Sequence, residues 1–270
     1  METDTAPLDA KPRKKRRDVP ERLYVSRSTG LSYFSILKCG TTYMKSLLWY
    51  LDRGEEHKAG STIHRDVENI ARSDGATVEE VRQNPLAFII LRNPVDRFVS
   101  FYFEKVANRT GHDFSWFRDL MADSLNLTIP DDDLEGHRRN CDALLDWLRK
   151  NLRHETEHEV NKHWRRQTFY IRTARPLGLK VLTLNDLDRQ LPIFAERAIP
   201  DIATQMAAVK NRNRSKRPLS RDMLLTDHLR AKIGKIYGPD LRHWRTADEA
   251  WKTIEPGVDP DRIPRLGRDI

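Results

Sequence analysis

Five consecutive residues, Lys38, Cys39, Gly40, Thr41 and Thr42, put a cation, a residue without a Cβ and two hydroxyls between an apolar run and an amphipathic one. Tyr33 to Leu37 reads as a buried strand and Tyr43 to Leu51 as a helix, whose first amides have no acceptor inside it and point at the loop. A ligand can approach the backbone closely at Gly40, Thr41 and Thr42 can donate, and Lys38 adds charge, so the chemistry is that of a phosphate or sulfate cradle. It is not a Walker A loop, in which lysine follows the second glycine; here lysine precedes the single glycine. Taken alone, the segment also fits a tight strand-to-helix turn with a threonine cap.

A second junction repeats the arrangement. Leu86 to Leu91 is a continuous apolar run that suits a fully buried parallel strand, and Arg92-Asn93-Pro94 follows it. Pro94 starts a helix at its favoured first position, with Phe98, Phe101 and Tyr102 as a core stripe and Arg97 and Ser100 in the opening turns. Arg92 offers a planar fork for a phosphate and Ser100 a hydroxyl. Two such junctions imply a ligand with two anionic ends.

The pair, Lys38-Cys39-Gly40-Thr41-Thr42 and Arg92-Asn93-Pro94-x-x-Arg97-x-x-Ser100-x-Tyr102, resembles the two cofactor motifs of the sulfotransferase family. The resemblance implies that Lys38, Cys39, Gly40, Thr41 and Thr42 bind the 5'-phosphosulfate of 3'-phosphoadenosine 5'-phosphosulfate (PAPS), and that Arg92 and Ser100 bind its 3'-phosphate. Leu37 departs from the family, which often has proline before the lysine. Weaker likenesses at Asn161 to Gln167, Leu179 to Leu191 and Leu229 to Trp244 extend the resemblance over roughly residues 32–244 and favour the carbohydrate branch, hence a saccharide hydroxyl as acceptor. The implied fold is α/β, a P-loop-type central parallel sheet flanked by helices, with a helical C-terminal part.

Sulfuryl transfer to a hydroxyl needs a base near the attacking oxygen and positive charge near the departing phosphate oxygen, with no obligatory metal. Lys38 fits the second role. His64, in the connection after the first helix, is the first choice for the base, and His163 in His163-Trp164 is its rival; His57 lies seven residues before His64. His154, His158 and His163 also invite a metal reading, but the neighbouring Glu155, Glu157 and Glu159 point to a solvated helix face, and no metal is expected. The basic loop Lys210 to Arg217 could close over a nucleotide, attract an acidic sugar or simply be solvated.

The elements that must position these groups follow from the rest of the 270 residues. Thr77-x-x-Glu80 is a capping box for a short helix over Thr77 to Gln83, Phe114 to Ser124 and Arg138 to Leu152 read as helices, Leu179 to Leu184 as a third inner strand, and Asp222 to Tyr237 as the last helix. Strands separated by helices imply a parallel sheet. The expected division is a basic arm at 1–22, one domain at 23–245 and a C-terminal tail at 246–270. Six of the seven residues Lys11 to Arg17 are basic and the formal charge is +8, which favours anionic ligands. The arm could contact nucleic acid, carry a nuclear address, anchor to a membrane surface or simply be a solvated tail, while without aromatic interleaving the loop Lys210 to Arg217 does not favour nucleic acid. No run approaches a membrane span, and the two cysteines, Cys39 and Cys141, have no disulfide or metal-knuckle spacing, so a cytoplasmic, reducing setting is expected. The competing readings are a P-loop kinase, and a nucleic-acid or anionic-surface binding module built on the basic arm.

Overall fold

The computed structural model describes residues 22–57, 63–70, 76–107, 114–125, 133–209 and 219–270. The basic arm Lys11 to Arg17 and the loop Lys210 to Arg217 lie outside them.

The apolar run ending at Leu91 forms β3 (Ala87–Leu91), in which every residue is buried, as a strand covered on both faces requires. On one side β2 (Ser32–Phe34) runs parallel, with Tyr33 opposite Phe88; on the other β4 (Lys180–Thr183) runs parallel, with Leu182 opposite Ile90. A further strand, β1 (Leu23–Val25), pairs antiparallel with β2, giving the order β1-β2-β3-β4. The expected central parallel sheet is present as β2, β3 and β4, and the antiparallel β1, not foreseen from sequence, makes the whole sheet mixed. A tight turn, closed by the Ser26 amide on the Leu31 carbonyl at 2.9 Å, joins β1 to β2, a connection open to antiparallel strands only.

The helices are α1 (Thr41–Arg53), α2 (Ile63–Ile70), α3 (Val78–Gln83), α4 (Pro94–Phe101), α5 (Ser115–Leu125), α6 (Leu134–Asn151), α7 (Gln167–Ala174), α8 (Leu187–Ala195), α9 (Ile202–Ala208), α10 (Arg221–Leu224), α11 (Asp227–Ile236) and α12 (Gly238–Trp251). The Thr77–Glu80 capping box is present at α3. One continuous helix was expected over Asp222 to Tyr237; instead Thr226 breaks it, its hydroxyl accepting from the Leu229 amide to open α11. Beyond Gly238, where composition reads as coil, α12 forms because Pro239 falls in its first turn, where no backbone bond is lost.

The segment 246–270, expected as a tail, is tied to β4. Trp251 is fully buried with its indole N–H on the Val181 carbonyl at 2.7 Å, and the Leu266 amide reaches the Leu179 carbonyl at 2.9 Å. One apolar cluster surrounds the sheet, and a second gathers α4, α5, α6 and α11 around Phe101, Phe117 and Trp164. Among the described residues no helix is long and apolar enough to cross a membrane.

Candidate active site

Because β2, β3 and β4 are parallel, the loops leaving β2 and β3 emerge side by side. The first begins sooner than expected: β2 ends at Phe34 rather than Leu37, since the Ile36 carbonyl accepts from the Cys39 amide at 3.2 Å and from Thr41 Oγ1 at 2.9 Å and turns the chain into α1. Lys38 and Gly40 both have left-handed backbones, φ 69° and 79°. For lysine this conformation costs roughly 1–2 kcal/mol. Glycine suits Gly40 for its φ, and a Cβ there would stand 2.8 Å from Leu184 Cδ1, so that side-chain end would have to shift. Gly40 is the N-cap of α1 and offers no side-chain bond to the first turn, so the amides there face the loop.

The second loop locks the first. Arg92 Nη1 donates to the Lys38 carbonyl at 2.8 Å, and Arg97 Nε donates to the Leu37 carbonyl at 3.1 Å. Asn93 caps α4, accepting from the Val95 amide at 2.9 Å, and Pro94 is its first residue. Arg97 and Ser100 are both buried, and Arg97 Nη2 has no partner. A buried donor of this kind is costly unless an acceptor meets it, and an anion is the strongest acceptor for a guanidinium.

The five residues of the first motif are not equivalent. Thr42 presents its hydroxyl to His64 Nε2 at 3.4 Å, while Thr41 is buried with its hydroxyl on the Ile36 carbonyl. Cys39 points inward, its thiol on Gln167 Oε1 at 3.3 Å, and burial pushes it up to about 11, so it is no nucleophile. Lys38 is nearly buried and its ammonium pairs with the Glu104 carboxylate. Burial pulls Lys38 down to about 8 against the opposing pull of Glu104. Burial raises the Glu104 carboxyl, but Lys38 and Lys105 outweigh it and hold the group below its ordinary value.

Two histidines flank this loop. His64, in the first turn of α2, is exposed, and its carbonyl accepts from Lys45 Nζ at 3.3 Å. His57 is turned away onto Asp66, with Nε2 to Oδ2 at 2.8 Å. His163 sits against Phe114, ring centroids 4.6 Å apart, and Asn161 Oδ1 accepts from both its amide at 3.0 Å and its Nδ1 at 2.8 Å. Since the amide can only donate, Oδ1 is the acceptor in both bonds; Nδ1 carries the proton and Nε2 is bare. Burial and then the Lys38 charge pull His163 down to about 3, which keeps the ring neutral. His154, His158 and His163 do not converge: among the described residues no three His, Cys, Asp or Glu group to hold a metal.

Three residues that support the site were not singled out from sequence. Gln167 accepts from the Arg92 amide at 3.0 Å and donates to the Arg92 carbonyl at 2.8 Å, while also meeting Cys39, so it stitches both loops to α7. Asp240 is buried and accepts from the Gln167 amide at 2.6 Å, the Thr168 amide at 2.8 Å and the Thr168 hydroxyl at 2.6 Å, holding the start of α7 from α12. Glu104 lies in a π-helical turn, Tyr102–Val106, that continues α4. The π-helical turn shifts the helix phase between Ser100 and Glu104, so α-helical spacing gives no signal for Glu104.

A model of the sulfotransferase family matches residues 21–244. The chain belongs to the sulfotransferase family. It is thus a transferase of sulfuryl groups, and the match covers both strand-exit loops and reaches into α12. No curated protein and no solved structure matches the chain.

Proposed function

We propose that this sulfotransferase moves the sulfuryl group of PAPS to a saccharide hydroxyl, holding the donor in a P-loop-type manner across the two loops that leave β2 and β3. The observation that carries this reading is the pair of arginines bound to the carbonyls of Leu37 and Lys38, one of them with a buried, unpartnered Nη2. A ligand with an anion at each end suits that arrangement. The first-turn amides of α1, Thr42 and Lys38 would hold the 5'-phosphosulfate, and Arg92 with Ser100 the 3'-phosphate. Gly40 leaves room for the close approach.

When bound, PAPS supplies a sulfuryl group on a phosphate leaving group. Lys38 would hold the donor and supply positive charge to its phosphate leaving group, giving up its pairing with Glu104 to do so. His64, exposed beside Thr42, takes the proton of the acceptor hydroxyl. His163, neutral and with Nε2 bare, would accept a hydrogen bond from a neighbouring hydroxyl of the acceptor and so orient the sugar. Its low basicity makes it a poor proton acceptor. With both cysteines buried and unpaired, we place the enzyme in a reducing compartment, the cytoplasm.

The test is transfer of labelled sulfate from PAPS to a panel of neutral and acidic oligosaccharides and a simple phenol. Label on a saccharide supports the proposal. Label on the phenol alone, or on none of the acceptors, overturns the acceptor class.

A further inference from the structure

At the opposite ends of the parallel strands lies a second basic site, unconnected with the donor loops. A groove of about 590 Å³ is lined by Arg82, Arg175, Arg265 and Arg268, with Asp261 as its acidic lining residue. Arg82 comes from the last turn of α3, just before β3, and Arg175 from the turn just before β4. Arg265 and Arg268 come from the C-terminal segment, which pairs with β4 through a bridge between Lys180 and Arg265. These are strand entries, whereas Lys38 and Arg92 follow strand exits. At ~3.3 Å per residue, β3 alone sets the two sites roughly 15 Å apart.

The four guanidinium groups fall into two kinds. Arg82 donates twice to the Pro176 carbonyl, at 3.2 and 2.8 Å, and pairs with Glu79. Arg268 donates to the Asp261 carbonyl at 2.7 Å and pairs with Asp269. These two build the wall. The other two keep guanidinium donors in hand: the Arg175 side chain makes no hydrogen bond or ion pair among the described residues, and the Arg265 side chain makes only a long, 3.8 Å approach to Asp261, with its buried Nε unpartnered. Gly267, at φ 83°, lets the backbone pass against Arg175, where a Cβ would stand 3.3 Å from its Cγ.

Two forks with unused donors, backed by two more that are fixed, suit a tetrahedral oxyanion, and the groove is larger than one such group needs. We infer that this groove binds a small molecule through a sulfate or phosphate ester, Arg175 and Arg265 taking the ester oxygens and the remaining space taking the ring that carries it. The site is separate from the donor loops and does not depend on the proposed acceptor.

Calorimetry of the full chain with glucose 6-phosphate and glucose 6-sulfate tests this, since the two probes share a ring and differ in the ester. Titrations of the native protein, Lys38→Ala and Arg175→Gln are compared, with a thermal midpoint for each to show that it is folded; Arg265→Gln serves if Arg175→Gln is not. The expected result is saturable binding that survives Lys38→Ala and weakens about tenfold or more in Arg175→Gln, the loss of one charged hydrogen bond. The tighter probe then identifies the ester. Absence of saturable binding by either probe overturns the inference, as does binding that is lost in Lys38→Ala and intact in Arg175→Gln.

Discussion

Arg92 Nη1 donates to the carbonyl of Lys38 at 2.8 Å, so the residue that ends the second parallel strand fixes the loop that ends the first. The bond holds Lys38 in its left-handed backbone and couples the two anion-facing loops into one body. Arg92→Ala should weaken 3'-phosphoadenosine 5'-phosphate by about 10- to 100-fold, the span for hydrogen bonds to a charged group. The analogue lacking the 3'-phosphate should lose much less. Equal losses, measured by calorimetry, would mean that Arg92 acts only on the loop.

Lys38 carries a pH dependence with a definite sign. Its group sits at about 8, below the usual lysine value because it is buried, so its charge is lost as pH rises through that region. The profile of kcat/KM for the donor, which reports the free enzyme, should therefore fall on the alkaline side near pH 8. Glu104 holds the charged form, so Glu104→Gln should move the fall to lower pH. An unmoved alkaline limb in Glu104→Gln would separate that limb from Lys38.

The loops that leave β2 and β3 were legible because their chemistry is local: charge, glycine, hydroxyls and a proline at a helix start sit within a few residues of each strand. What was not legible depends on distance or on helix phase. Gln167 reaches Arg92 and Cys39 across the fold, and Asp240 caps α7 from a helix that Gly238 and Pro239 disguised as coil. Glu104 comes to Lys38 through a π-helical turn, which shifts the helix phase. The β1 strand has three residues, too few for a period-two pattern to register.

Asp240 should matter to stability. Asp240→Ala strips the acceptor from three buried donors at the start of α7, each orphan costing about 1–3 kcal/mol, so a loss of about 3 kcal/mol is expected after partial relaxation. Urea unfolding should show a lower midpoint at unchanged slope. A shift too small to resolve would leave α7 anchored by its apolar face alone.

The two histidines are separated by single-turnover transfer. His64→Ala should slow chemistry by about 10²- to 10⁴-fold with donor affinity barely changed, the range for a positioned general base. His163→Ala should cost less in rate and raise KM for the acceptor. The reverse pattern would exchange their roles.

The donor site stands or falls on calorimetry of the native chain with 3'-phosphoadenosine 5'-phosphate, beside adenosine 5'-phosphate as the control with one anionic end. Saturable binding is expected for the first, tighter than for the second by about 10-fold or more, because Arg92 and Ser100 meet the 3'-phosphate only in the first. No binding of the 3'-phosphorylated nucleotide, or equal affinity for the two, would contradict the assignment of the paired loops to PAPS.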